Sequence, residues 1–160
     1  MVSKERVVRI QTDEYADASL PKVIEGEALA DYGQYLTDES RRTGHATALS
    51  FPGDTGEVAA LMRWARQRDL AVTVSGARTG ISAGAVPRGG LVISLERLNR
   101  VHGIRADDDD ALIVHCDAGV GLSELQKAVR EGEFSDASSW SETEAALAES
   151  LREKDYFYPP

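Results

Sequence analysis

The stretch VSGARTGISAGAVPRGGLVISL, residues 74–95, joins two short apolar segments through a glycine-rich connection. The segments AVTVSG (71–76) and LVISLERL (91–98) are rich in β-branched residues and bounded by glycine, which predicts two strands. Between these strands lie Gly76, Gly80, Gly84, Gly89 and Gly90. So much backbone without side chains indicates either an ordinary loop or one that closely approaches a ligand.

Two familiar phosphate-binding patterns do not fit this loop. Gly76, Gly80 and Gly84 are spaced four apart, whereas the dinucleotide fingerprint G-x-G-x-x-G has another spacing and opens a helix. The pattern G-x-x-x-x-G-K-[ST] needs a lysine, and the stretch contains none. An anion bound here would be held by successive backbone N–H groups, with the hydroxyls of Thr79 and Ser82 at the rim. Glycine suits such a loop because it lacks a side chain and adopts positive φ.

Length and composition predict one folded domain with an acidic surface. The chain has 160 residues, 42% of them hydrophobic, which is enough for a proper core. A net charge of -9 with scattered basic residues disfavours nucleic acid and anionic membranes as partners. The first residues lack an apolar leader and no stretch is long enough to span a membrane, so we expect a cytoplasmic location.

Helical and strand patterns alternate along the chain. Residues 21–36 read as a helix weakened by glycine, and 46–54 as a strand. Paired capping residues and a run of apolar positions at helical spacing predict the next helix, and similar patterns predict a hairpin and two further helices. Asp54 and Glu57 cap the first of these helices, and Val58, Leu61, Met62 and Ala65 share one of its faces. The hairpin consists of 101–106 and 111–119 around Asp107–Asp110. Leu122, Leu125 and Val129 face inward on the next helix, which stops at Gly132, and Ser141 and Glu144 cap a helix over 140–153. The predicted class is α+β: a small, mainly parallel sheet flanked by helices, plus an antiparallel hairpin.

Other chemistry-bearing residues are better explained by structure. His45, His102 and His115 are far apart in sequence and form no metal-ligand pattern, so no metal site is predicted. The acidic run Asp107–Asp110 lacks the ligand spacing of a calcium loop and reads as a solvated turn. Cys116 falls on an inward strand face, which makes it a small core residue. Trp64 and Trp140 are also assigned to packing.

The loop resembles the pyrophosphate-binding loop of FAD-linked oxidases of the vanillyl-alcohol oxidase and p-cresol methylhydroxylase type. It is most similar to the branch that contains glycolate oxidase and the D-lactate and D-2-hydroxyglutarate dehydrogenases. That branch has a G-G-x-T-G-like loop, a G-G/A-x-V-P element and a strand ending in L-x-x-[LM]-N. The matching positions are Gly76, Ala77, Thr79, Gly80, Gly84, Ala85, Val86 and Pro87, then Leu95, Leu98 and Asn99. FPGDTGEVAALMRWA upstream and DAGVGLSELQKAV downstream extend the resemblance over most of residues 46–132.

The resemblance implies that the loop holds FAD by its pyrophosphate. The implied contacts are Gly76, Ala77, Arg78, Thr79, Gly80, Ile81, Ser82, Gly84 and Ala85. Arg78 reads equally well as a cationic partner of the phosphates and as a solvated loop residue. In covalently flavinylated relatives a histidine stands where this chain has Arg78, so we expect FAD to be held without a covalent bond.

The resemblance also implies how the chain is divided and what the whole protein does. Residues 1–45 form an N-terminal helical lead-in, and 46–160 form the first half of an FAD-binding domain, which ends before the second half. No catalytic residue is expected here, because the family's substrate groups come from later segments. The implied whole enzyme is a flavin-dependent dehydrogenase or oxidase of a small 2-hydroxy acid. The alternative is a non-catalytic module that binds a nucleotide or a protein and retains the fold.

Overall fold

The residues that the structure describes form two small sheets. A computed structural model describes residues 15–107, 111–134 and 137–153. The first sheet has four strands in the order β1-β2-β4-β3, namely β1 (Val23–Glu25), β2 (Ala48–Ser50), β3 (Val72–Ser75) and β4 (Leu91–Ser94). Strands β2, β3 and β4 run parallel, and β1 is antiparallel to β2. The second sheet is the antiparallel hairpin of β5 (Val101–Ala106) and β6 (Leu112–Cys116). The predicted α+β class is confirmed.

Helices surround the sheets in the described part of the chain. They are α1 (Thr55–Gln67), α2 (Leu122–Glu131) and α3 (Glu142–Glu153), with 3₁₀ helices at Gly26–Leu36 and Ala137–Ser139. The predicted start of α1 is confirmed, since Asp54 Oδ1 accepts the Glu57 N–H at 2.8 Å. The predicted stop of α2 is confirmed too, because Gly132 adopts the left-handed conformation with φ 64°.

Helix α1 packs on one face of the four-stranded sheet. Leu61 and Ala65 are buried there against Leu91 and Ile93 of the central strand. Met62, which the helical spacing places on the same face as Leu61 and Ala65, is 47% exposed. The helix contacts the sheet along one side only, and the inward stripe is completed by Ala60 instead.

The segment 21–36 differs from the predicted single helix. Residues Val23–Glu25 form β1, which pairs with β2, and only Gly26–Leu36 is helical, as a 3₁₀ helix with a break at Tyr32. Two β-branched residues favour the strand, and Gly26 at φ 63° turns the chain out of it. The 3₁₀ helix then covers the second face of the sheet, where Tyr35 packs with Leu49 and Val92.

The hairpin has its own core beneath α2 and α3. Buried Val101, Ile104 and Phe134 contact Ala148 and Leu151 of α3. Trp64 and Trp140 pack against the first and second cores, and Cys116 lies beside Leu112 and Val114 in the second, as predicted.

The first residues of α2 and α3 test two further predictions. Leu122, predicted to point inward, is 50% exposed because it opens α2 at the edge of the contact. Ser141 and Glu144 form the predicted capping box at the start of α3. Asp108–Asp110, part of the predicted acidic turn, lie outside the described residues. Within the described ranges no helix is long and apolar enough to cross a membrane.

Candidate functional site

The glycine-rich loop, residues 76–90, emerges at the carboxyl edge of the parallel strands. Ser75 ends β3 and Ser94 ends β4 directly beside it, and both side chains are fully buried. The loop leaves the sheet after Ser75 and returns at Gly90 to enter β4. The carboxyl edge of parallel strands is where ligands bind in open α/β sheets, so the loop lies in a suitable place.

The two limbs of the loop differ in their hydrogen bonds. Among the residues that the structure describes, the backbone N–H groups of 76–84 have no acceptor. In residues 85–90 three N–H groups are used internally: Ala85 donates to Asp38 Oδ2 at 3.3 Å, Val86 to the Ala83 carbonyl at 3.3 Å, and Gly89 to the His45 carbonyl at 2.7 Å. The first limb, 76–84, therefore offers free donors, whereas Ala85 does not contribute its N–H to the predicted set.

The glycines of the first limb face open space. A Cβ added at Gly76 or Gly80 would meet nothing within 4 Å, and at Gly84 it would meet only the Ser82 hydroxyl at 3.9 Å. No internal packing therefore requires glycine at these positions. The expectation of positive φ at Gly76 and Gly80 was wrong, because in the first limb Arg78 and Ala83 adopt it, at 57° and 62°. Open space before free N–H groups fits a phosphate that comes close to the backbone.

Arg78 contacts the protein rather than bulk solvent alone. Its guanidinium lies over the Tyr35 ring, 4.5 Å from the centroid, and donates to the Gly76 carbonyl at 3.4 Å. The Tyr35 hydroxyl donates in turn to Glu96 Oε2 at 2.8 Å. Burial raises the pKa of Tyr35, and the hydrogen bond to the Glu96 carboxylate raises it further. Arg78 thus places a positive charge at the loop while its side chain stays fixed on Tyr35. Thr79, Ile81 and Ser82 are exposed on the same limb.

Asp38 is a residue of the site that the sequence reading missed. It is 7% exposed; Oδ1 accepts the Ser40 N–H at 3.0 Å and Oδ2 accepts the Ala85 N–H. The pKa of Asp38 lies below its ordinary value, chiefly because of a hydrogen bond from the Ser40 side chain, and also because of the Ser40 and Ala85 N–H groups. The sequence contains a signal for the local part, since Asp-x-Ser is typical of an Asx turn.

The remaining candidates lie elsewhere. His102 and His115 are far apart in sequence but stack across the hairpin, with ring centroids 5.0 Å apart, and His102 Nε2 is 2.7 Å from Asp117 Oδ1. No group of three potential metal ligands occurs within the described part of the chain. A groove of about 570 Å³ between α2 and the hairpin includes Leu125 and Phe134, and it contains no residue of the glycine-rich loop. The free N–H groups, and not the groove, therefore define the candidate site.

The fold is that of an FAD-binding class of protein, since the family model for the FAD binding domain matches residues 46–146. The chain belongs to this FAD-binding family. D-2-hydroxyglutarate dehydrogenase of Xanthomonas citri pv. viticola is 42% identical over 104 residues, which cover 64% of this chain and 21% of the relative. D-lactate dehydrogenase of Anaerostipes hadrus is 40% identical over 124 residues, 75% of this chain and 25% of the relative. The chain thus spans about a quarter or less of their length.

Solved structures support the fold. GilR, an oxidoreductase that catalyses the terminal step of gilvocarcin biosynthesis, superposes with a TM-score of 0.53 at 22% identity, over 68% of this chain and 22% of GilR. 6-Hydroxy-D-nicotine oxidase of Arthrobacter nicotinovorans gives a TM-score of 0.53 at 21% identity, over 73% of this chain and 25% of that enzyme. Together with the family model and the curated relatives, these findings confirm the resemblance to FAD-linked oxidases, and FAD is the cofactor of the family.

Proposed function

We propose that this chain is the pyrophosphate-binding part of a flavin-dependent dehydrogenase or oxidase of 2-hydroxy acids, of the glycolate or D-lactate type. The names of the relatives support this class, since D-2-hydroxyglutarate and D-lactate are both 2-hydroxy acids. The observation that carries the proposal is the first limb of the loop, where free N–H groups face open space. Residues 46–160 form the first half of the flavin domain in this proposal, and residues 1–45 lead into it.

The pyrophosphate contacts are assigned to the first limb. The N–H groups of residues 76–84 donate to the phosphate oxygens, and the exposed hydroxyls of Thr79 and Ser82 add donors at the rim. Arg78 adds a fixed positive charge nearby. Local N–H dipoles make a dianion tolerable on a protein of net charge -9 because their effect depends on distance rather than on total charge. Ala85 supports the limb through Asp38 instead of donating its N–H to the ligand.

The flavin is held without a covalent bond in this proposal. Arg78 occupies the position after the two small residues Gly76 and Ala77, and a guanidinium stays protonated and has no lone pair for attack on the flavin. No other residue from Ser75 to Pro87 is histidine, cysteine or tyrosine. Acid precipitation of the flavin-loaded protein is expected to leave all yellow colour in the supernatant. Colour that stays with the washed pellet would contradict reversible binding.

In this proposal no residue of this chain acts on the substrate. Bound FAD supplies a hydride acceptor, and the described residues bind and orient its pyrophosphate. The test uses the complete enzyme that we propose, loaded with FAD under anaerobic conditions and mixed with D-lactate, glycolate or D-2-hydroxyglutarate. One of these acids is expected to bleach the oxidised flavin absorbance. A protein that binds FAD with all three acids inert would favour the non-catalytic module.

A further inference from the structure

A short segment beside the sheet holds the glycine-rich loop from outside. Residues 37–45 follow the 3₁₀ helix and precede β2. The Glu39 N–H donates to the Arg78 carbonyl at 3.1 Å, and the His45 N–H donates to the Pro87 carbonyl at 3.1 Å. Between these two hydrogen bonds, Asp38 Oδ2 accepts the Ala85 N–H. The segment therefore contacts both limbs of the loop, and we call it the clamp.

Asp38 is the charged residue of the clamp that reaches the loop through its side chain. Its two carboxylate oxygens accept one N–H from the clamp and one from the loop, so the buried charge is satisfied on both sides. Arg42 also favours the ionised form of Asp38, which lowers the pKa of this carboxyl. A buried carboxylate with these partners cannot be exchanged for an apolar residue without leaving the Ala85 N–H unpaired.

We propose that Asp38 is a positioning residue for the anion site: it fixes the returning limb at Ala85, and thereby keeps the N–H groups of residues 76–84 gathered before a ligand arrives. This inference rests on the proposed function of the loop. Asp38 does not touch the ligand in this account, because its negative charge would repel phosphate and both of its oxygens are already occupied. Its effect is to remove part of the ordering cost that a free loop would bear on binding.

The variant that tests the proposal is Asp38→Asn in the full 160-residue chain. An amide of the same size presents an NH₂ group where one oxygen stood and loses the charge, so the bond to Ala85 is weakened or lost. The dissociation constants of FAD and of inorganic pyrophosphate are measured for both proteins by calorimetry. Both are expected to rise by about tenfold, the equivalent of one charge-assisted hydrogen bond of about 1.4 kcal/mol. An equal loss of affinity for the two ligands indicates a displaced loop. Pyrophosphate lacks the adenine and flavin groups, so its affinity reports on the loop alone.

Glu144→Gln is the matched control. Glu144 Oε2 accepts the Ser141 N–H at 2.9 Å at the start of α3, and α3 packs on the hairpin. This variant is expected to lower the melting temperature while both dissociation constants stay unchanged. An Asp38→Asn protein with wild-type affinity for both ligands would overturn the proposal. The same follows if Glu144→Gln weakens binding as much as Asp38→Asn, because the effect would then be general destabilisation.

Hydrogen exchange on the wild-type chain keeps the test decisive if Asp38→Asn fails to fold. The Ala85 amide is expected to exchange more slowly than the amides of residues 76–84 in the ligand-free protein. Exchange of Ala85 at the same rate as those amides would refute the clamp. This measurement is independent of the proposed function: a chain with a protected Ala85 that binds neither FAD nor pyrophosphate contradicts the anion site and leaves the clamp standing.

Discussion

Replacement of Gly80 by valine separates binding from stability. The added Cβ meets no atom within 4 Å and the φ of Gly80 is not positive, so the Cβ itself brings neither a clash nor backbone strain to the ligand-free chain. The free energy of unfolding is expected to change by less than about 1 kcal/mol. The valine methyl groups project into the space that the phosphates occupy in our proposal. Loss of two N–H bonds to phosphate, at about 1.5–3 kcal/mol each, weakens FAD binding by at least about a hundredfold.

The assay compares Gly80→Val with Gly33→Val. Gly33 lies in the 3₁₀ helix, and a Cβ there also meets nothing within 4 Å. Flavin fluorescence quenching gives the dissociation constant, and differential scanning fluorimetry gives the melting temperature. We expect weak binding only for Gly80→Val, with melting temperatures that differ little among the three proteins. Wild-type affinity in Gly80→Val would refute the assignment of the first limb, and so would an equal loss in Gly33→Val.

Three further outcomes test the fold and its electrostatics. Gly119→Ala is expected to lower the free energy of unfolding by several kcal/mol, because the added Cβ would overlap the Leu95 backbone carbonyl. An unchanged midpoint of urea unfolding would contradict this packing. Leu61→Ala is expected to lower the free energy of unfolding by about 2–5 kcal/mol, since Leu61 of α1 is fully buried against the sheet; a loss below about 1 kcal/mol would show that this core is loose. Burial raises the pKa of Asp117, but hydrogen bonds from His102 and the Arg100 N–H hold it below the ordinary 3.8. The stabilising contribution of Asp117 is therefore present above pH 3.8 and is lost as the pH falls through the lower folded pKa. Asp117→Asn is expected to reduce the dependence of the melting temperature on pH in that acidic range.

Local patterns predicted much of the fold. The cap at Asp54, the stop at Gly132 and the glycine-bounded strands depend on neighbouring residues, and the structure contains each of them. Strand β1 could not be predicted in this way. Its pairing with β2 places Val23 opposite Ser50. A pairing between residues so distant in sequence overrides the weak helical pattern of residues 21–36.

The sequence indicated the candidate site only through its glycine-rich loop. The glycines of the loop mark the first limb, because their spacing and the family resemblance concern contiguous residues. Asp38 was missed because its bond to Ala85 spans 47 positions in sequence, and an acidic residue in a polar segment reads as solvated. The conformational role of Gly76 and Gly80 was also misassigned, since Arg78 and Ala83 adopt positive φ in the first limb.

Amide chemical shifts of the ¹⁵N-labelled chain, followed during titration with FAD, test the central claim most directly. The N–H groups of residues 76–84 are expected to shift most, because in our proposal these free donors bind the pyrophosphate. Titration with inorganic pyrophosphate is expected to shift the same amides. Shifts that concentrate in the groove between α2 and the hairpin, with residues 76–84 unmoved, would contradict the account.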